Sequence, residues 1–278
     1  MINFFTALYC EAYPLIQRYR LKKETDWTHF QVFSGESQNM RLILTGPGMI
    51  AAAAAVSSVC TKYPPNGYDF LINLGICAGA SEQRGLFLCN KITEQTTGKI
   101  FYPDMLYRHP FHEAQVVTGA KPFKREDIKA SQEICLYDME ASAIYQSGSY
   151  FFGPHQMFFL KIISDDGNFE NVTPKQIQDQ ISAQMENIVL FVDCLNKIQE
   201  TAANPSAGNP EQNLAILCED LHCSQVMSAS VRQLICYCKL SGIDYQSVLN
   251  EMYREQKLPC KDKREGKLRF EELGNRLL

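Results

Sequence analysis

The chain reads as an α/β protein: a central, mostly parallel mixed sheet flanked by helices, followed by a small α-helical C-terminal domain. Three observations predict it. Short runs rich in β-branched, aromatic and other apolar residues alternate with segments of helical character, the pattern of strands interleaved with helices. The 278 residues, 45 % of them hydrophobic, are enough for one large α/β domain and a small appendage. Finally, the stretch Thr201–Pro210, rich in Pro, Gly, Asn and Ala, has the composition of a flexible connection. The predicted organisation is therefore a domain over 1–198, a linker over 199–212 and a helical domain over 213–278.

The first strand is the apolar run Phe4–Leu8, and Tyr9–Ile16 carries it through a turn into a helix. Glu11 falls at that junction, where a glutamate on its own merits is a solvated helix-start residue. Arg18 and Arg20, two apart on the same amphipathic segment, read as surface. The next strand, Arg41–Thr45, runs into Gly46-Pro47-Gly48-Met49-Ile50 and the alanine run Ala51–Ala55. Two readings of these glycines stay open: they let the backbone approach a ligand at a helix N-terminus, or they make a tight turn while the alanines allow close helix-to-sheet packing.

Tyr68–Ala80 is a buried strand that ends in small residues, and Gly75, Ile76 and Cys77 leave room for a ligand against the main chain. Lys91–Gln95 and Phe101–Met105 follow, and Ala114–Gly119 is the next strand. In Leu136–Tyr145, Asp138 stands where a carboxylate can cap a helix, and Glu140 lies in the first turn, where the helix dipole favours negative charge. Phe158–Gly167 is a buried strand ending in Ser-Asp-Asp-Gly, so that Ser164 and Asp165 stand at a strand's carboxyl end, which faces the crevice of an α/β sheet. From Thr173 to Ile198 apolar residues recur mostly at three- and four-residue intervals, a helical pattern. Beyond the linker, helices are expected from Leu214, over Ser230–Tyr237 with Gly242 as a stop, and over Tyr245–Tyr253.

Composition excludes several classes. No apolar run approaches the roughly 20 residues that cross a bilayer, and the N-terminal residues lack a signal-peptide pattern, which places the protein in the cytoplasm. The 11 cysteines are scattered through apolar segments of a large chain and read as reduced thiols. Cys218, His222, Cys223, Cys236 and Cys238 approach a metal-site spacing without forming paired C-x-x-C knuckles, so no metal is expected. A net charge of −4 leaves no nucleic-acid footprint, for the tail helices included.

Together, Asp138-Met139-Glu140-Ala141 and Ser164-Asp165 resemble the purine nucleoside phosphorylase and nucleosidase superfamily, in particular the 5'-methylthioadenosine/S-adenosylhomocysteine nucleosidases, over roughly residues 1–195. The resemblance implies a nucleoside phosphorylase-like fold and a purine nucleoside as small-molecule partner. It gives Asp165 the role of general acid toward N7 of the base, with Ser164 fixing its carboxyl. Glu140 would bind the ribose hydroxyls and Met139 would lie along the sugar. Glu11, matching the last glutamate of the family's first-strand motif, would activate water; the motif's earlier glutamates are missing here. Phe123 stands where the family places a side chain near the base.

No cofactor is implied. Asn73 stands where the hexameric phosphorylases carry an arginine that helps to hold phosphate, and an amide does not replace that guanidinium. This favours hydrolysis over phosphorolysis, with a non-catalytic nucleoside sensor or scaffold as the third reading. Only about a dozen residues separate the Tyr102-Pro103-Asp104 region from the next strand, whereas the nucleosidases place several dozen there, including elements of the 5' lid and the dimer interface. Loose 5' selectivity is therefore expected, while a homo-oligomer stays open. The tail carries no catalytic motif and is expected to form a small bundle against the main domain or a protein partner.

Overall fold

A computed structural model of the chain describes residues 1–26, 29–35, 39–80, 85–127, 134–169, 172–203, 210–241 and 243–277. The chain divides into two compact units, Met1–Ala202 and Ala203–Leu278.

The first unit is built on a 10-stranded mixed sheet. Its elements in chain order are β1 (Ile2–Thr6), α1 (Tyr9–Tyr19), β2 (Lys22–Lys23), β3 (Gln31–Gly35), β4 (Met40–Leu44), α2 (Met49–Lys62), β5 (Phe70–Ala78), β6 (Leu86–Glu94), β7 (Ile100–Phe101), β8 (His112–Thr118), β9 (Cys135–Asp138), α3 (Ala141–Gly148), β10 (Met157–Asp165), α4 (Pro174–Ala183) and α5 (Met185–Ala203). β1 runs parallel to β4 and β5, and β5 parallel to β10. Beside them, β6, β8 and β9 form a second parallel set, joined antiparallel to β10 at one side and to β5 at the other. The sheet thus curls until β5, β10, β6, β8 and β9 close on one another, a closure that the order of apolar runs does not reveal.

Two apolar layers cover the sheet. One packs Leu15 and Ile16 of α1, Ile177 and Ile181 of α4, and Phe191 and Leu195 of α5 against Phe4, Leu42, Ile72 and Phe158. The other packs Ala52, Ala55 and Val59 of α2 and Ile144 of α3 against Phe5, Ile43, Leu71 and Phe159. Small alanines on α2 let that helix lie close to the strands, so the packing reading of the alanine run holds.

Three boundaries differ from those expected. The segment 173–198 is two helices, interrupted at Gln184, whose backbone N–H turns back to Ile181. Residues 199–203 belong to α5, and Gln199 is fastened by hydrogen bonds from its amide to the carbonyls of Met1 (3.2 Å) and Tyr68 (2.7 Å), so this part of the predicted linker is ordered helix. Residues 210–212 likewise open a helix; the rest of the expected linker, 204–209, lies outside the described residues, as does Gly242.

The second unit holds α6 (Pro210–Asp220), α7 (Gln225–Ser241), α8 (Tyr245–Arg254) and α9 (Lys263–Leu277). Leu217, Leu221, Val231, Ile235, Met252, Leu273 and Leu277 form its own core. Gly266 makes one crossing possible, because a Cβ there would collide with the carbonyl of Leu221. Of the residues with a near metal-site spacing, Cys238 is buried in the core, Cys236 is exposed, His222 Nε2 engages the carbonyl of Cys260, and Cys218 and Cys223 lie side by side. No helix among the described residues is long and apolar enough to cross a membrane.

Candidate active site

The closure of the sheet brings the carboxyl ends of β1, β5 and β10 against that of β9, where Ala78 pairs with Tyr137. A cavity of about 360 Å³ opens at this junction, lined by residues drawn from segments 7–11, 76–78, 122–123, 137–140 and 164–169 together with Pro47. Glu11, Ile76, Cys77, Phe123, Met139, Glu140, Ser164 and Asp165 all line it. Gly75 does not; it lies beneath, and its role is steric. A Cβ there would stand 3.0 Å from Glu11 Oε1 and 3.6 Å from Lys161 Nζ.

On one side of the cavity, a bulge in β10 sets the acid. Ile163 pairs with Cys77 and Asp165 with Ala78, so Ser164 is an extra residue that re-aims its neighbours. The Asp165 carboxylate is pinned locally, accepting from Ser164 Oγ (2.7 Å) and from the Gly167 amide (2.8 Å). Asp166 turns away from the cavity to an ion pair with Arg125 (3.6 Å). Phe123 and Tyr137 meet at 4.7 Å between ring centroids and form an aromatic wall.

The opposite side is drier and crowded with charge. Glu11 is only 2 % exposed, not solvated: Oε1 accepts from the Ile76 amide (2.9 Å) and Oε2 from the Leu8 amide (2.8 Å). Burial raises its carboxyl above the ordinary range, against the pull of those two amides and of Lys161. Glu140 accepts from the Gly48 amide at 2.7 Å, and Gly48 reaches it with a φ of +92°, a conformation that a side chain disfavours. That glycine turn therefore serves a site side chain. Burial first, and then the neighbouring charge of Asp138, pushes Glu140 up to about 7.

Asp138 does cap α3, as expected, and it does more. One oxygen accepts from the amides of Ala141 (2.8 Å) and Glu140 (3.3 Å) and from Lys161 Nζ (2.7 Å); the other accepts from Thr118 Oγ1 (2.7 Å). Lys161 is 1 % exposed in the middle of β10, and although burial works against its charge, Asp138 and Glu140 carry it above its ordinary value. Removing one partner of such a buried pair typically costs about 3–5 kcal/mol. Sequence reasoning missed this lysine, since one polar residue in an apolar strand gives no signal of its partner. Leu8, Pro47, Pro122 and Phe169, which also line the cavity, were missed too, being turn residues without a periodic pattern.

Asn73 lies in β5 outside the cavity wall, donating to the carbonyl of Phe5 at 3.1 Å. Among the described residues, no lysine or arginine lines the cavity. Arg18 and Arg20 are exposed on α1 and its C-cap. Segment 102–111 holds neither helix nor strand and contributes nothing to the wall.

With this geometry in place, the fold is that of the nucleoside phosphorylases and nucleosidases. No protein-family model matches the sequence, and no curated protein matches it. Solved structures do: its structural neighbours are 5'-methylthioadenosine/S-adenosylhomocysteine nucleosidases. The enzyme from Neisseria meningitidis, in complex with methylthio-immucillin-A, superposes with a TM-score of 0.53 at 15 % identity, over 67 % of this chain and 97 % of its own. That from Streptococcus pneumoniae, with a transition-state inhibitor, gives 0.56 at 15 % identity over 70 % and 99 %, and that from Colwellia psychrerythraea, with adenine, gives 0.55 at 14 % over 70 % and 94 %. At such identity the likeness is one of fold. The neighbours span about two thirds of this chain.

Proposed function

We propose that this protein hydrolyses the N-glycosidic bond of a purine nucleoside. One observation carries the reading: Asp165, Glu140 and Glu11, from three separate segments, converge on a single cavity whose wall holds no cationic side chain among the described residues. A phosphate co-substrate calls for guanidinium or ammonium donors, and water does not.

In this reading Asp165 delivers a proton to N7, so that the base departs neutral, with Ser164 and the Gly167 amide holding the carboxyl in place. The ionised Glu140, anchored on the Gly48 amide, accepts from the ribose hydroxyls, a charge-assisted contact that strengthens as positive charge develops on the sugar. Glu11 orients the attacking water and takes its proton, while Phe123 and Tyr137 flank the base and Met139 the sugar. Ile76 and Cys77 give the floor on which the ligand lies, and Gly75 beneath them leaves room for Glu11 and Lys161. We place the protein in the cytoplasm, where its eleven free thiols stay reduced.

The test incubates the purified chain with adenosine, inosine, methylthioadenosine and S-adenosylhomocysteine, with and without phosphate, and measures free base by chromatography. Base release independent of phosphate is expected. Obligate phosphate dependence with ribose 1-phosphate as product would make it a phosphorylase. A melting temperature raised by nucleoside without any base release would make it a sensor or scaffold.

A further inference from the structure

Beneath the cavity, Lys161 is the common neighbour of three buried carboxylates. From β10 its ammonium binds Asp138 of β9 at 2.7 Å. Across the gap left by Gly75 it approaches Glu11 of α1, the glycine's missing side chain being what lets the two groups share that space. Glu140 at the start of α3 belongs to the same electrostatic cluster, and Cys77 and Cys89, on the neighbouring strands β5 and β6, lie near enough to interact with the ammonium's charge. Glu11 also accepts from the amides of Leu8 and Ile76, and Glu140 from that of Gly48; the two glutamates repel one another, and Cys10 is a further neighbour of Glu11. One buried cation thus stands against three buried carboxylates, and it does not itself line the cavity.

We propose that Lys161 is a positioning residue that couples the two halves of the sugar-side machinery. Through Asp138 it fixes the turn that presents Met139 and Glu140, and by its charge it sets how readily Glu11 and Glu140 ionise. The ionisation of the two glutamates is then a joint property of the cluster. This rests on the hydrolase reading only for the roles of Glu11 and Glu140; the charge coupling does not depend on catalysis. It follows that neutralising Lys161 and neutralising Asp138 act in opposite directions. Lys161→Met removes the shared cation, so both glutamates hold their protons to higher pH. Asp138→Asn keeps the shape and removes the carboxylate that repels Glu140, so Glu140 releases its proton at lower pH. Loss of packing alone would move both variants the same way.

The experiment labels the glutamate carboxyl carbons with 13C, assigns Glu11 and Glu140 by their glutamine variants, and titrates wild type, Lys161→Met, Lys161→Arg and Asp138→Asn by NMR. The acid limb of kcat/KM for base release is measured alongside. We expect an upward shift of about one pH unit or more for both glutamates in Lys161→Met, a downward shift of Glu140 in Asp138→Asn, and near wild-type behaviour in Lys161→Arg. If Lys161→Met does not fold, the Asp138→Asn and Lys161→Arg titrations still decide. An unmoved Glu140 titration in Asp138→Asn, or shifts of Glu140 of the same sign in both neutral variants, overturns the proposal. Carboxyl titrations that move as expected in a protein that releases no base would sink the hydrolase reading and leave the coupling standing.

Discussion

The two sides of the cavity are built on different principles. Asp165, on one side, is half-buried and held locally: Ser164 precedes it, Gly167 follows two residues later, and the β10 bulge aims it. Glu11 and Glu140, on the opposite side, are buried and held largely from a distance, by amides 65 and 92 residues away and within a cluster that includes Asp138 and Lys161. A locally held, partly solvated acid can be altered with little effect on the fold. A carboxylate held by long-range contacts in a dry cluster carries stability as well as chemistry, because its charge is disfavoured whenever the fold is intact.

The largest effect is expected at Asp165. Asp165→Asn keeps the shape and removes the transferable proton, so turnover should fall about 100-fold to 10,000-fold, with nucleoside binding and melting temperature close to wild type. Stopped assays for base release together with calorimetric binding separate the two. Near wild-type turnover would reassign the acid, with Asp166 as the next residue to change.

Glu140 should differ in kind, by coupling binding to pH and to stability. Glu140→Gln is expected to weaken nucleoside binding about tenfold to hundredfold, the worth of a hydrogen bond to a charged acceptor. The sign of the pH effect follows from the upward shift, from 4.5 in the unfolded chain to about 7 in the fold. Between these values the folded state holds a proton that the unfolded state has released. The contribution of this group is therefore fully present below 4.5, is lost as pH rises to about 7, and is level above it. The melting temperature of Glu140→Gln should gain on that of wild type across the same window. A constant difference between the two would show that Glu140 is not a buried titrating group.

These two sides were also unequally legible in the sequence. Asp165 and the Asp138–Glu140 turn stand at the ends of periodic segments, where a strand's carboxyl end or a helix's first turn already restricts what a carboxylate does; their chemical roles came from the family resemblance. Glu11 was visible as a junction residue, yet its burial was not, because the amide that holds it comes from β5. Lys161 was illegible for the same reason: its partner lies two strands away in a sheet whose closure depends on twist and register. The break at Gln184 escaped because apolar spacing continues across it in the periodic pattern.

A smaller effect is expected at Ser164. Its hydroxyl fixes one rotamer of Asp165, and a single neutral donor is worth about 1 kcal/mol, so Ser164→Ala should lower kcat by about threefold to tenfold with an unchanged melting temperature. A loss as large as that of Asp165→Asn would give Ser164 a direct part in the chemistry.

The smallest effect concerns the 5' end of the nucleoside, and it compares the cavity with what lies outside it. Discrimination at the 5' position requires a wall that makes contacts with one substituent that another cannot make, and a methylene in a closed apolar pocket is worth about 1–3 kcal/mol. Here the segment best placed in the resemblance to supply that wall is short, has no regular structure over 102–111, and contributes no residue to the cavity. Phe169, 43 % exposed, is the half-open ring at the wall, and such a ring gives little shape selection. The kcat/KM values for adenosine, methylthioadenosine and S-adenosylhomocysteine should therefore fall within about tenfold of one another, one decade being about 1.4 kcal/mol. A preference of a hundredfold or more for one 5'-thio nucleoside would mean that a further wall is supplied, and gel filtration of the purified chain, with and without residues 204–278, would then tell a second copy from the tail as its source.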